Sequence, residues 1–325
     1  MAIGRTNASV GGGVSGGSQI KALIDGRDCY SLFYKFSGNS VNNIISYNDT
    51  ENARDMTTMF RDCTNLISIP LLNSSNVINM NKMFYSCRKL TTIPQLDTGN
   101  VTDMNSMFFN CNKLTTIPQL DTGNVTDMNS MFSGCSSLTT IPYLNTSNVI
   151  DMHHMFSSCG KLTAIQLLNT SKVNYMQSMF RYCSQLTTIP QLDTSNVTDM
   201  DYMFSGCSSL TTIPQLNTSN VKNMSYMFEN CRNLISIPAL DVSGVNNFNY
   251  IFFNCSNLES IEMTGMKVRF DIHWSTKLTR EALVVILNNL ATVSTSQTLT
   301  MGETNLAKLT EEDKAIATNK GWTLA

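Results

Sequence analysis

Ten cysteines, three histidines and a column of Asp and Asn residues are the side chains of this 325-residue sequence whose types could do chemistry. Nine of the cysteines, Cys63, Cys87, Cys111, Cys135, Cys159, Cys183, Cys207, Cys231 and Cys255, follow one another at intervals of 24 residues. Thiolates ligate zinc or pair as disulfides, but zinc sites use clustered ligands such as C-x-x-C pairs, and a regular ladder of single thiols supplies none. An odd-numbered ladder cannot pair completely. Reduced, buried thiols packing as small hydrophobes are therefore expected, with Cys29, outside the ladder, as the exposed one. His153 and His154 are adjacent, and on a helix adjacent side chains diverge by about 100°. They read as solvated surface histidines, and His273 is distant from both. The column Asn73, Asp97, Asp121, Asn145, Asn169, Asp193, Asn217 and Asp241 could hold calcium, but the glycine-rich calcium repeat is absent. Turn-forming side-chain hydrogen bonds account for it more simply. No carboxylate pair, nucleophile elbow or phosphate loop accompanies these residues, so neither an enzyme nor a cofactor or metal is expected.

The spacing itself is the stronger signal. All seven prolines (Pro70, Pro94, Pro118, Pro142, Pro190, Pro214, Pro238) occupy one column of the same period, with Gln166 and Glu262 in the remaining places. Sixteen of the twenty methionines fill two more columns, Met56 to Met224 and Met59 to Met227. A fixed period in the 20 to 50 range marks a solenoid, whose units cover only their neighbours' apolar faces. Charged residues make up 14% of the chain and the formal net charge is -2, so no polyanion-binding surface, and hence no nucleic-acid partner, is expected. The opening MAIGRTNASVGGGVSGGSQI has no apolar core of a signal peptide and no stop-transfer stretch, so neither export by an N-terminal signal nor membrane insertion is expected.

Within one coil, MNSMFFNCNKLTTIPQLDTGNVTD from Met104, the residues Met104, Met107, Phe108 and Cys111 have the spacing of a buried helical stripe and predict a short helix. Thr98 and Asn100 are its cap candidates, and Asp103 suits its positive end. Leu114 and Ile117 in the Thr-rich LTTIP predict a short strand ended by Pro118. Leu120 and Val125 face inward around a DTGN turn. Parallel strands roughly 4.8 Å apart would make nine coils span about 43 Å. The predicted fold class is thus an α/β repeat, a leucine-rich-repeat-like solenoid of about nine 24-residue coils over 56–265. A degenerate N-terminal cap is expected over 20–55, with Leu32 in a Met column, Phe36 in the Phe column and Ile45 in the Ile column, and with Lys35 and Asn39 breaking the pattern. Residues 266–325 predict a small α/β closing module: LTREALVVILNNLATV and LTEEDKAIATNKGW read as capped helices and QTLTMG as a strand. Residues 1–19, rich in Gly and Ser, predict a flexible leader or assembly arm.

The coil MxxMFxxCxxLTTIPQLDTSNVTDM, clearest over Met176 to Met200 and Met200 to Met224, resembles the BspA-like leucine-rich repeats of bacterial surface proteins and their phages. That resemblance implies a right-handed solenoid used for attachment, with no catalytic residues. The ends, MAIGRTNASVGGG and LTMGETNLAKLTEEDKAIATNKGWTLA, are similar to those of tail, fibre or other virion proteins of phages of Gram-positive gut bacteria. Together they imply a virion protein, assembled in the host cytoplasm, that attaches to a host cell-surface component or docks to other virion proteins, with a homo-oligomer allowed. The alternative is a BspA-type adhesin on a bacterial cell surface.

Binding residues should stand where the repeats differ. The positions after the MF pair read Arg61-Asp62, Tyr85-Ser86, Phe109-Asn110, Arg181-Tyr182, Glu229-Asn230 and Phe253-Asn254, and the position after the Pro column holds Leu71, Gln95, Tyr143 and Leu167. Aromatic and Arg side chains on a polar exterior favour interfaces, which selects Tyr85, Phe109, Tyr143, Arg181 and Tyr182 as the candidate binding surface; unconstrained surface variation explains the same pattern equally well. The threonine pairs Thr91-Thr92, Thr115-Thr116, Thr139-Thr140, Thr187-Thr188 and Thr211-Thr212 could suggest ice or glycan binding. Alternation along a strand would turn only one Thr of each pair outward, and β-propensity on a solvated strand face is the favoured explanation.

Overall fold

The computed structural model describes residues 29–42 and 45–325. The expected leader at 1–19 and the first part of the expected cap lie outside the described residues. Two compact units divide the chain, Met1–Leu144 and Asn145–Ala325, and each is built from the same coil.

The segment from the first Met to the Cys is a ribbon of tight turns, where a helix was expected. In the coil from Met104, the N–H groups of Met104, Ser106, Phe108 and Asn110 donate to the carbonyls of Asp127, Asn129, Met131 and Ser133 in the next coil, at 2.7 to 3.1 Å. The intervening N–H groups of Met107, Phe109 and Cys111 close turns on the carbonyls of Met104, Ser106 and Phe108. Two residues per coil, here Ser106 and Asn110, have φ of +54° and +56°. A left-handed residue breaks an α-helix, at a cost of roughly 1–2 kcal/mol for a side chain other than Gly. The bonds to the next coil offset that cost. A helix would direct every donor along its own axis and leave none for the neighbouring coil. Thr98 and Asn100 consequently act between coils and cap no helix: Thr98 Oγ1 donates to Asp121 O at 2.8 Å and Asn100 Nδ2 to Ser75 O at 2.8 Å.

The expected strand is also reduced. In the first unit Thr115 and Thr139 each reach the preceding coil by one long N–H···O contact of 3.5 Å, because the following proline has no donor. The glutamine after the proline supplies one instead: Gln119 Nε2 donates to Tyr143 O at 2.7 Å in the first unit, and Gln191 Nε2 to Gln215 O at 2.7 Å in the second. A parallel strand pair, interrupted by a register shift between Ile237 and Leu240, forms between β1 (Ser236–Asp241) and β2 (Ser260–Thr264), where Glu262 stands in the proline column and restores an N–H. Both threonines of each pair are exposed, not one as strand alternation predicted, since the segment is not a pleated strand.

The core is a set of ladders. In the first unit Phe33, Phe60, Phe84, Phe108 and Phe132 stack at centroid distances of 5.3 to 5.6 Å, with planes within 6° of parallel. In the second, Phe156, Phe180, Phe204, Phe228 and Phe252 stack at 5.8 to 5.9 Å. The Met, Leu, Val and Cys columns beside them are fully buried. The cap joins the first stack through Phe33 and not Phe36, because Cys29 N–H binds Asp55 O and occupies the place of Met56 one coil earlier. A shift of three residues, absorbed before the 3-10 helix Tyr47–Thr50, puts Cys29 inside. Cys29 is therefore buried, which overturns its expected exposure.

All ten cysteines are buried. They are also donors: the thiol of Cys135 donates to Phe108 O at 3.1 Å, that of Cys183 to Phe156 O at 3.0 Å, and that of Cys255 to Phe228 O at 2.9 Å. Each satisfies the carbonyl of the phenylalanine one coil back, which an alanine would leave bare. Burial pushes Cys135, Cys183 and Cys255 up to about 12. At pH 8 a thiol of that pKa is ionised to about one part in ten thousand, and the thiolate is the reactive form. A colorimetric thiol titration at pH 8 should accordingly leave these ladder cysteines unreacted in the folded chain, and should count all ten after addition of guanidinium. Rapid reaction of several thiols without denaturant would contradict the buried ladder.

The second unit continues into an α/β segment. β3 (Phe270–Asp271), β4 (Gln297–Thr300) and β5 (Trp322–Leu324) form a parallel sheet in the order β3-β4-β5. Between them run α1 (Arg280–Asn289), α2 (Gly302–Leu306) and α3 (Glu311–Thr318). Thr279 caps α1 through Ala282 N, and Thr310 forms a capping box with Asp313 on α3. Asp313 also takes a two-point bond from Arg280 at 2.8 Å, tying α3 to α1. No described helix is long and apolar enough to cross a membrane.

Candidate binding surface

The left-handed positions do more than join coils. In the second unit several left-handed positions carry tyrosines, and Arg181 follows the core Phe180. The column Tyr202, Tyr226 and Tyr250 has φ of +54°, +57° and +54°, and Tyr182 has +58°. In the second unit these rings form a continuous ribbon. The Arg181 guanidinium carbon lies 4.8 Å from the ring centre of Tyr182 and 4.2 Å from that of Tyr202. Tyr202 stacks on Tyr226 at 4.4 Å, and Tyr226 on Tyr250 at 5.1 Å. Arg181 Nη2 donates to Tyr182 Oη at 3.2 Å, whereas its Nε is shielded from solvent without a hydrogen-bond partner. Ring faces hold this cation, an arrangement worth about 0.5–2 kcal/mol depending on desolvation.

Acidic groups border the ribbon. Burial pushes the Asp201 carboxyl above its usual range, opposed by the Ser225 hydroxyl and by Arg181. Burial also raises Tyr202, with Tyr226 and Asp201 adding to it. Ser205 Oγ donates to Glu229 at 2.8 Å. The first unit carries a shorter ribbon: Arg61 lies 5.8 Å from the ring centre of Tyr34 and 5.0 Å from that of Tyr85, and Tyr85 stacks on Phe109 at 4.6 Å.

Of the candidates chosen from sequence, Tyr85 and Phe109 are thus brought together, as are Arg181 and Tyr182. Tyr143 joins neither ribbon; it is 57% exposed on the proline side of its coil. Tyr34, Tyr202, Tyr226 and Tyr250 were missed. The last three recur every 24 residues, a pattern that a helical assignment of that segment concealed.

The other chemistry-bearing residues have structural partners. His153 Nδ1 lies 2.7 Å from Asp151 Oδ1, and His154 is half-buried at φ +56°, so the pair is neither helical nor freely solvated. Burial, followed by the charge of His153, lowers the His154 pKa. Every residue of the Asp/Asn column closes a turn on the N–H two residues ahead, from Ser75 on Asn73 at 3.2 Å to Ser243 on Asp241 at 2.9 Å. Among the described residues no cluster of His, Cys, Asp and Glu could hold a metal ion.

The family described as "Mycoplasma protein of unknown function, DUF285" matches four overlapping stretches, residues 27–116, 89–188, 110–212 and 161–264, which together span well over half of the chain. The chain belongs to this family. The DUF285 match spans the repeats and stops before the closing segment. No curated protein matches the sequence. Among solved structures, a leucine-rich repeat protein from Bacteroides ovatus is similar at 17% identity, covering 83% of this chain and 86% of that one with a TM-score of 0.39. The T. pallidum leucine-rich repeat protein TpLRR is similar at 22% identity over 55% of this chain and 69% of its own, with a TM-score of 0.32. Internalin C2 from Listeria monocytogenes follows at 16% identity over 75% and 84%, with a TM-score of 0.29. All three are repeat proteins, and likenesses of this size carry nothing about partners. The virion resemblance of the chain ends has no counterpart among them.

Proposed function

We propose that this DUF285 chain is a non-enzymatic binding protein that attaches to a protein or cell-surface partner through its arginine–tyrosine ribbons. The observation that carries this reading is Arg181 held between Tyr182 and Tyr202, with Tyr226 and Tyr250 stacked behind. Arg and Tyr are the residue types that dominate binding energy at interfaces. Rings already stacked on one another lose little conformational freedom when a partner arrives. The low charge of the chain, at 14%, agrees with recognition by shape and aromatic contact over steering by long-range fields. Attachment from a phage particle and adhesion from a bacterial surface both place this ribbon against a partner, and the proposal requires only that shared step.

The test is adsorption of fluorescently labelled chain to a panel of Gram-positive gut bacteria, compared with an Arg181→Ala/Tyr202→Ala variant of equal thermal stability. A pair of this kind contributes about 2 kcal/mol or more when it anchors an interface, so the variant should adsorb about 30-fold more weakly. Equal adsorption of both proteins, or none by either on any strain, counts against the ribbon as the attachment surface.

A further inference from the structure

The tyrosine column does not simply end at Tyr250. Residues 271–274 restart the coil in frame: Asp271 falls in the column of Asn247, buried Ile272 in that of Phe248, and Trp274 in that of Tyr250. Asp271 also forms the turn bond of its column, accepting from His273 N at 2.9 Å. Trp274, however, packs at an angle against Phe253, with centres 5.1 Å apart and planes at 63°. Phe253 in turn meets Tyr250 edge-on at 77° and 5.9 Å. One rung of the ring column is therefore open, and a cavity of about 120 Å³ lies there, lined by Tyr250, Phe253, Asp271, His273 and Trp274.

From this geometry we infer that the open rung binds a quaternary alkylammonium head group, one carrying methyl groups on a positive nitrogen. Three aromatic rings, with Phe253 steeply inclined to both Tyr250 and Trp274, line a single small volume, and aromatic rings attract cations. Asp271 adds a carboxyl group to the lining. The two bonds it accepts, from His273 N and from His273 Nδ1 at 2.5 Å, both fall on Oδ1, so Oδ2 keeps its accepting capacity. No lysine or arginine lines the cavity, and the one lining group able to carry a positive charge, His273, occupies a single oxygen of Asp271 through Nδ1. The volume is well below the 300 Å³ or more of sites that enclose a whole drug-sized ligand, which selects a head group. A bare ammonium ion is strongly hydrated and loses more on entering an aromatic site than an alkylated one, and a neutral apolar group would leave Asp271 unused. The site shares Tyr250 with the Arg181 ribbon, but binding of a head group there does not require that the ribbon dock a partner.

The experiment titrates the full chain with choline chloride and follows the fluorescence of Trp274, with buried Trp322 reporting that the fold is intact. Ammonium chloride and 3,3-dimethylbutan-1-ol, the neutral carbon analogue of choline, are titrated alongside. Saturable millimolar binding of choline is expected, with the neutral analogue at least about tenfold weaker and ammonium weaker still. Asp271→Asn and Phe253→Ala should each weaken choline binding by about tenfold while leaving thermal unfolding of the chain in place. Equal binding of choline and its neutral analogue overturns the inference, as do non-saturable titrations or unchanged binding in both variants. Phosphatidylcholine vesicles, with phosphatidylglycerol vesicles as control, distinguish the source. Binding to the choline vesicles supports the site and assigns a surface-borne head group, and binding of free choline alone supports it and assigns a soluble molecule.

Discussion

Phe204→Ala should destabilise the second unit by about 4 kcal/mol, read as a lower urea midpoint with an unchanged slope. The ring is completely buried and stacks on Phe180 and on Phe228, at 5.8 Å on each side. Truncating a buried Phe costs about 3–5 kcal/mol, because the cavity left behind relaxes only partly. The ladder restricts that relaxation further. Phe180 and Phe228 are held by their own backbone bonds to Met203 and Ile251, so neither ring can slide into the gap. The backbone of residue 204 keeps its bonds: its N–H still reaches Met227 O, and its carbonyl still accepts from the thiol of Cys231. The loss is thus one of packing alone. Because repeats interact only with their neighbours, hydrogen exchange should quicken first in the coils on either side of residue 204. A cost below 1 kcal/mol, or protection lost evenly over the whole unit, would show that the Phe stack is not the main support of this core.

The register of that ladder was legible in the sequence because it depends only on spacing. Met104, Met107, Phe108 and Cys111 are all buried, as the 24-residue columns required. What spacing could not reveal was the backbone between them, since intervals of three and four residues suit a helix and a ribbon of turns alike. The discriminating signal lay in the outward positions. The column Asp62, Ser86, Asn110, Gly134, Ser158, Tyr182, Gly206, Asn230 and Asn254 is Asp, Asn, Ser or Gly everywhere but at Tyr182, and Gly and Asn are the residues that most readily adopt positive φ. Those same residues have modest helix propensity, so the column argued against a helix from the start. The capped helices α1 and α3 were legible for the opposite reason, as Thr279 and Thr310 act within one turn of the chain. Cys29 and Phe36 were misplaced because a shift of three residues leaves no mark in composition. The ribbon was half legible: Arg181 and Tyr182 stand out as repeat-breaking residues, but Tyr202, Tyr226 and Tyr250 meet one another only once the left-handed column is known.

One exception to that column links stability to the candidate surface. Tyr182 is a bulky residue at φ +58° and is matched in the next coil by Gly206 at φ +75°. A Cβ on Gly206 would overlap Cδ1 of Tyr182 and lie 3.3 Å from its Cα, so the glycine leaves room for the tyrosine ring. Gly206→Val should cost about 1–2 kcal/mol for a branched residue at positive φ, with about 1–3 kcal/mol more for overpacking. The two contributions separate in a double-mutant cycle. In a Tyr182→Ala background the overpacking should largely disappear, giving a coupling of at least about 1 kcal/mol, whereas strain confined to the backbone would give none. Calorimetric melting of the four proteins measures this directly. The ring displaced in Gly206→Val is the one that shares Arg181 with Tyr202, so this variant should also adsorb to cells more weakly than its own loss of stability explains. Wild-type adsorption by a folded Gly206→Val chain would mean that Tyr182 is held against Gly206 for packing and takes no part in attachment.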